Sequence, residues 1–137
     1  MPLNAKSPDR VRILLVEDEP AIRELVAEML EEEGVELRCA AGGAEGLREA
    51  RRYRPHLVLL DVVLPDLDGI SVCRLIRAQP ALREVPVYML TARVRKADRE
   101  VALCAGATGY IEKPFRAQQL RALVARYREP TSARARR

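Results

Sequence analysis

The sequence predicts an α/β fold: a (βα)5 doubly wound parallel sheet with helices on both faces. Strand-like and helix-like segments alternate five times along the 137 residues. Most strand segments are unbroken apolar runs, such as Ile13-Leu14-Leu15-Val16 and Leu57-Val58-Leu59-Leu60. Such runs suit strands buried on both faces, as in parallel sheets. One segment, 35–39, alternates apolar and polar residues instead, which marks an edge strand with one wet face.

Each element follows from its local pattern. Residues 11–16 form the first strand. Ile22, Leu25, Val26, Met29 and Leu30 fall on one face of a helix over 20–33, with Pro20 in its first turn and Gly34 as its stop. The edge strand 35–39 and a second helix over 43–54 follow. Residues 57–61 are the third strand, and Asp68 caps a third helix that ends near Gln79 and Pro80. The fourth strand spans 85–91, where Pro86 is tolerable only near the start. A weaker helix with a small-residue face covers 96–105. A short fifth strand covers 108–111, and a last helix over 115–128 carries Leu120, Leu123, Val124 and Tyr127.

Alternating strands and helices build a parallel sheet between two helical layers. With the second strand at an edge and right-handed crossovers, the strand order is 2-1-3-4-5, the flavodoxin-like three-layer arrangement. The order reverses direction between strands one and three, so ligands belong beyond the carboxyl ends of those strands.

Composition sets the outer limits. The chain is 48% hydrophobic and 32% charged, which fits a soluble globular domain and excludes wholesale disorder. No run approaches a membrane span, and the amino terminus lacks an apolar signal region. A cytoplasmic location is the default expectation. Cys39, Cys73 and Cys104 form no Cys-x-x-Cys pair, and they read as small reduced core residues. The net charge is +4, part of it in the tail Thr131-Ser132-Ala133-Arg134-Ala135-Arg136-Arg137. That tail reads as a solvated end or linker stump, and it lacks the interleaved aromatics of a single-strand binder. The expected organisation is a disordered arm over 1–10, one domain over 11–128 and a basic tail over 129–137.

The residues with chemistry stand at strand ends. Asp61 closes the third strand, while Glu17 and Asp18 close the first. Carboxylates brought together raise one another's pKa unless a cation joins them. An oxygen-only cluster suits Mg²⁺, which keeps some of its waters. Lys113, just after the fifth strand and before Pro114, is the counter-charge. Only three of the 24 basic residues are lysine, leaving 21 arginines, so a lysine here suggests a compact point charge. Thr91 ends the fourth strand and points its hydroxyl toward the same rim. An aspartate can attack phosphorus to give an acyl phosphate. A cation, Lys113 and Thr91 would stabilise the charge of the transferring group.

At this point the chain resembles a response-regulator receiver domain of two-component systems. The matching pieces are Leu15-Val16-Glu17-Asp18-Glu19-Pro20, Asp61-Val62-Val63-Leu64-Pro65-Asp66-Leu67-Asp68-Gly69, Leu90-Thr91-Ala92 and Gly109-Tyr110-Ile111-Glu112-Lys113-Pro114-Phe115. The match runs over about 11–128. The resemblance implies that Asp61 accepts a phosphoryl group from a histidine kinase or histidine phosphotransfer protein. It implies that Glu17, Asp18, Asp61 and the Val63 backbone carbonyl bind Mg²⁺, with Mn²⁺ as the alternative ion. Lys113 would pair with the acyl phosphate, Thr91 would move toward it, and Tyr110 would swing between exposed and buried rotamers. The face of helix four, strand five and helix five would then change partners. The implied activity is stoichiometric self-phosphorylation and self-dephosphorylation rather than enzymatic turnover.

Some residues depart from the family pattern. Thr108-Gly109 stands where family members that dimerise through that face often carry paired acids, so a monomer or a weak phosphorylation-dependent dimer is expected. Val63 and Arg93 border the site at positions that tune phosphate lifetime in the family. His56 lies at the far end of the third strand, where a surface or capping role is expected. Gly42-Gly43-Ala44-Glu45-Gly46 lacks the spacing of a dinucleotide loop and reads as a turn and helix start. Two other readings compete with the phosphoacceptor one. An aspartate-nucleophile phosphatase would want an acid where Val63 stands, and a phosphorylation-independent pseudo-receiver would not need the intact set of site residues. Nucleic-acid binding by this domain is not expected, and the output partner is unknown.

Overall fold

The computed structural model describes residues 10–31, 34–92 and 96–128. The expected arm, the tail and Arg93 lie outside those residues, apart from Arg10. Five parallel strands run in the order β2-β1-β3-β4-β5, as the sequence predicts. They are β1 (Val11–Val16), β2 (Val35–Ala40), β3 (Leu57–Asp61), β4 (Val87–Thr91) and β5 (Gly109–Glu112). The helices are α1 (Pro20–Met29), α2 (Gly43–Tyr53), α3 (Gly69–Ala78), α4 (Lys96–Cys104) and α5 (Ala117–Arg126), with a 3-10 turn at Pro80–Leu82.

The two-residue period of the strands sorts side chains onto the two faces of the sheet. Ile13, Leu15, Leu57 and Leu59 pack with Val26, Leu120 and Val124 beneath α1 and α5. Leu14, Val16, Val58 and Leu60 face the other way, onto Ala50, Val72, Ile76 and Ala102 from α2, α3 and α4. Every residue of β3 is buried, which explains why that strand is apolar throughout until Asp61.

Several element ends differ from expectation. β4 begins at Val87 because Pro86, which has no N–H, stays outside the strand, while its carbonyl accepts from Val58 N–H at 2.9 Å. β5 begins at Gly109, since Thr108 spends its hydroxyl on the Val87 N–H at 3.0 Å. Last of all, α5 starts at Ala117, where the Gln119 side-chain oxygen accepts the Arg116 N–H at 3.2 Å. Phe115 lies before the helix and is buried in the core. The expectation of three core cysteines is corrected: Cys73 is buried, Cys39 is half-buried and Cys104 is exposed on α4. Cys104 shares its helix with exposed Val101 and Leu103, and only Ala102 of α4 is buried, so the C-terminal end of this helix exposes apolar residues.

Register sets the strand ends side by side. Val16 pairs with Leu60, Asp61 with Leu90, and Thr91 with Glu112. The connection after β3 is held close by Gly69, whose N–H donates to the Val62 carbonyl at 2.7 Å. A Cβ at Gly69 would run into the Asp61 carbonyl oxygen and come within 2.8 Å of the Val62 Cα. Gly69→Ala should therefore destabilise the fold by about 1–3 kcal/mol through overpacking, despite alanine's better helix propensity. Urea unfolding measures this directly. An unchanged midpoint would show that the backbone yields at no cost.

Candidate functional site

Three strand ends deliver the charged cluster. Glu17 is fully buried just past β1, Asp61 is buried at the end of β3, and Asp18 is exposed beside them. One carboxylate oxygen from each of the three lies within 4.8 Å of the others. Lys113, just past β5, donates from Nζ to Glu17 Oε1 at 3.0 Å and to Asp61 Oδ2 at 2.9 Å. The Lys113–Pro114 peptide bond is cis. The Lys113 N–H donates to the Thr91 carbonyl at 2.7 Å, tying the ends of β4 and β5 together.

The remaining acceptors of the buried acids are partly used. Asp61 Oδ1 accepts from Val63 N–H at 3.0 Å, which places the Val63 backbone at the rim of the site, where the residue as a whole is 75% exposed. Glu17 Oε2 accepts from Glu19 N–H at 3.1 Å. The Arg23 guanidinium donates to the Glu17 carbonyl at 2.8 Å. Sequence reading missed Arg23. A cation in the first turns of a helix opposes the macrodipole, and that misplacement was its one signal.

Burial pushes the Glu17 carboxyl up to about 7, against the Lys113 hydrogen bond, which lowers it. Neighbouring Asp61 adds to the rise. Burial opposes the charge on Lys113, but hydrogen bonds to Asp61 and Glu17 outweigh it and hold the ammonium's pKa above its ordinary value. Fully ionised, three carboxylates and one ammonium leave two negative charges, the complement of a divalent cation. The donor atoms are oxygens, so the residues fit a hard ion such as Mg²⁺.

Next to this cluster lies a cavity of about 350 Å³ lined by Thr91, Tyr110, Met89, Ile70, Val62 and Arg99, among others. Thr91 and Tyr110, two residues singled out in the sequence, therefore share one space. The Arg99 guanidinium sits over the Tyr110 ring, 4.9 Å from its centroid. Arg99 carries no motif, and sequence alone offers no signal for it. His56 stays apart from the site, as expected, and its Nδ1 accepts from Arg12 N–H at 2.9 Å.

Such a sheet, with acids and a lysine at its switch point and room for a divalent cation, defines a class of α/β module with one rim site. Comparison with known proteins sharpens the class. A family profile described as "Response regulator receiver domain" matches residues 13–125. The chain belongs to this response-regulator receiver family. It is 41% identical over 115 residues to the DNA-binding response regulator MtrA of Mycolicibacterium smegmatis, covering 84% of this chain and 49% of MtrA. It is 44% identical over 107 residues to the transcriptional regulatory protein CseB of Streptomyces coelicolor, covering 78% of this chain and 44% of CseB. The chain thus spans about half the length of such relatives.

Solved structures agree on the fold. The chemotaxis protein CheY4 of Vibrio cholerae superposes with a TM-score of 0.81 at 30% identity, covering 86% of this chain and 98% of that one. The receiver domain of sensor histidine kinase PA1611 from Pseudomonas aeruginosa gives 0.79 at 39% identity, covering 87% and 98%. That structure holds a magnesium ion coordinated in its active-site cleft.

The Glu17 carboxyl makes stability depend on pH. Its ordinary pKa is 4.5 and its folded value is about 7. A raised value favours the protonated folded state, so this contribution is full below about 4.5 and is lost as pH rises through about 7. Without divalent ions, the Tm of the wild type relative to Glu17→Gln should fall between about pH 5 and pH 8, and Mg²⁺ should restore it at the upper end. Thermal melts across that range check the sign. Parallel pH profiles for the two proteins would remove Glu17 as the titrating group.

Proposed function

We propose that the chain is a phosphoacceptor that takes a phosphoryl group from a phosphohistidine onto Asp61 and then changes its binding partners. The observation that carries this reading is the shared grip of Lys113 on Glu17 and Asp61 beside exposed Asp18. Glu17, Asp18, Asp61 and the Val63 carbonyl would hold Mg²⁺, with Mn²⁺ able to substitute. Such an ion would supply positive charge to offset the negative charge on the equatorial oxygens of the transferring group.

An Asp61 carboxylate oxygen attacks phosphorus, an O–P bond forms and the P–N bond to the donor imidazole breaks. The imidazole leaves with the electron pair and takes its proton from water. No general base is needed, because the nucleophile is already a carboxylate. Lys113 turns its ammonium toward the new phosphate oxygens. Hydrolysis of the acyl phosphate by water returns the carboxylate, so each copy reacts once per donor and turns over no other substrate.

Readout follows from the shared cavity. The Thr91 hydroxyl moves toward the acyl phosphate and Tyr110 turns into the space they both line, out from under Arg99. The face of α4, β5 and α5 then changes. The donor would be a histidine kinase or histidine phosphotransfer protein in the cytoplasm. The MtrA and CseB likenesses support an output in transcription control, through a partner or a domain outside this chain.

Intact-mass measurement after treatment with a small-molecule phosphodonor and Mg²⁺ tests the core claim. One phosphoryl adduct is expected on wild type and none on Asp61→Asn. A wild type that never gains the adduct under several donors favours the pseudo-receiver, while multiple turnover on phosphomonoesters favours the phosphatase. In Lys113→Ala, Glu17 can protonate rather than remain an unpaired charge, so the fold should persist by circular dichroism. Adduct formation should slow on the order of a hundredfold, as when one transition-state donor is removed. A wild-type rate in that variant would exclude the role given to Lys113.

A further inference from the structure

The glycine-rich segment 42–46 has no part in the chemistry above, yet it meets the functional loop. α2 begins with Gly42 at its N-cap, so the helix has no side-chain cap of its own. The first N–H groups of a helix lack intrahelical partners. Here Asp66, from the β3–α3 connection, supplies the acceptors. Its Oδ1 accepts from Gly43 N–H at 2.8 Å, and its Oδ2 from Ala44 N–H at 3.0 Å. Oδ1 also accepts from Leu67 N–H at 2.9 Å, fixing the carboxylate to its own loop.

The glycines make the approach feasible. A Cβ at Gly42 would come within 3.1 Å of Asp66 Oδ1, and one at Gly43 would stand 2.9 Å from Leu67 Cβ and 2.8 Å from Val72 Cγ2. Burying Gly43 against Leu67 and Val72 and bonding Asp66 to the helix start are two independent marks of one docking. The bonds from Ala44 and Gly43 favour the charged form of Asp66 and lower its pKa.

The connection that carries Val63 is thereby pinned at both ends. On the β3 side, Val63 N–H holds Asp61 Oδ1 and Gly69 N–H holds the Val62 carbonyl. On the far side, Asp66 holds α2. We propose that Asp66 is a positioning residue, whose grip on the first turn of α2 sets the stance of the Val63 backbone and Asp61 and so tunes the divalent-cation affinity of the acidic cluster. The inference rests on the phosphoacceptor reading for the cation's role. Asp66 itself touches neither cation nor phosphoryl group. Loss of a group that orients a metal's ligands typically weakens metal binding by about ten- to a hundredfold. Linkage is reciprocal, so cation binding at Asp61 should in turn quiet the start of α2.

Calorimetric titration of Mg²⁺ into the full chain tests this, with amide exchange as a second readout. Asp66→Ala should weaken Mg²⁺ binding about three- to tenfold, the low end for orienting groups because Asp66 is exposed to solvent. Asp66→Asn keeps an acceptor oxygen and should fall between. In the wild type, Mg²⁺ should slow exchange at Gly43 and Ala44, and in Asp66→Ala it should not. Wild-type Mg²⁺ affinity in Asp66→Ala, whatever happens to its Tm, would reduce Asp66 to a helix cap and overturn the proposal. If that variant fails to fold, Asp66→Asn decides by the same comparison. A wild type that binds no Mg²⁺ overturns the phosphoacceptor reading together with this one, whereas wild-type binding with unaffected Asp66 variants overturns this one alone.

Discussion

Lys113 Nζ stands 3.0 Å from one buried carboxylate and 2.9 Å from another, and much of the rim exists to make that arrangement tolerable. A fully buried glutamate left alone would neutralise rather than remain ionised. The ammonium offsets part of that burial and leaves the cluster short of neutrality by an amount a divalent ion completes. The backbone serves the same end. Val63 and Glu19 N–H groups take the second oxygens of Asp61 and Glu17, and Arg23 takes the Glu17 carbonyl. Buried ion pairs of this kind contribute little net stability, since desolvation consumes most of the Coulombic gain. What they do here is hold the Asp61 carboxylate at a fixed place.

The site was legible in sequence to the extent that it depends on strand ends. Leu57 to Leu60 announced a strand buried on both faces, and everything after it had to emerge at the rim. Glu17, Asp18, Asp61, Thr91 and Lys113 all follow from that rule, and the register brings them together. Arg23, Asp66 and Arg99 were not legible in the same way. Each acts on a partner outside its own element, and apart from the ill-placed charge of Arg23 no local pattern marks them. The glycines at 42 and 43 look like an ordinary turn until the Asp66 carboxylate is seen against them. Cysteine burial failed for the reverse reason. A small apolar residue type says how it prefers to sit, but α4 carries only one buried position, and Cys104 does not occupy it.

Element ends show the same division. β4 stops short of Pro86 for a reason a proline makes visible. α5 begins late because Gln119 folds back onto Arg116, a cap that needs none of the usual N-cap residues. Of the exposed apolar residues of α4, Val101 lines the cavity shared by Thr91 and Tyr110. The cavity and the exposed end of α4 are thus contiguous at Val101. Arg99 lines the same cavity, with its guanidinium over the Tyr110 ring.

The two bonds of Lys113 join residues 96 and 52 positions apart in the chain. Neither can form until the first, third and fifth strands lie in one sheet. During synthesis the acidic rim has no counter-charge until the last strand has left the ribosome. Copies that are unfinished or clipped before the fifth strand lack Lys113, and so cannot assemble the lysine-braced acid pair.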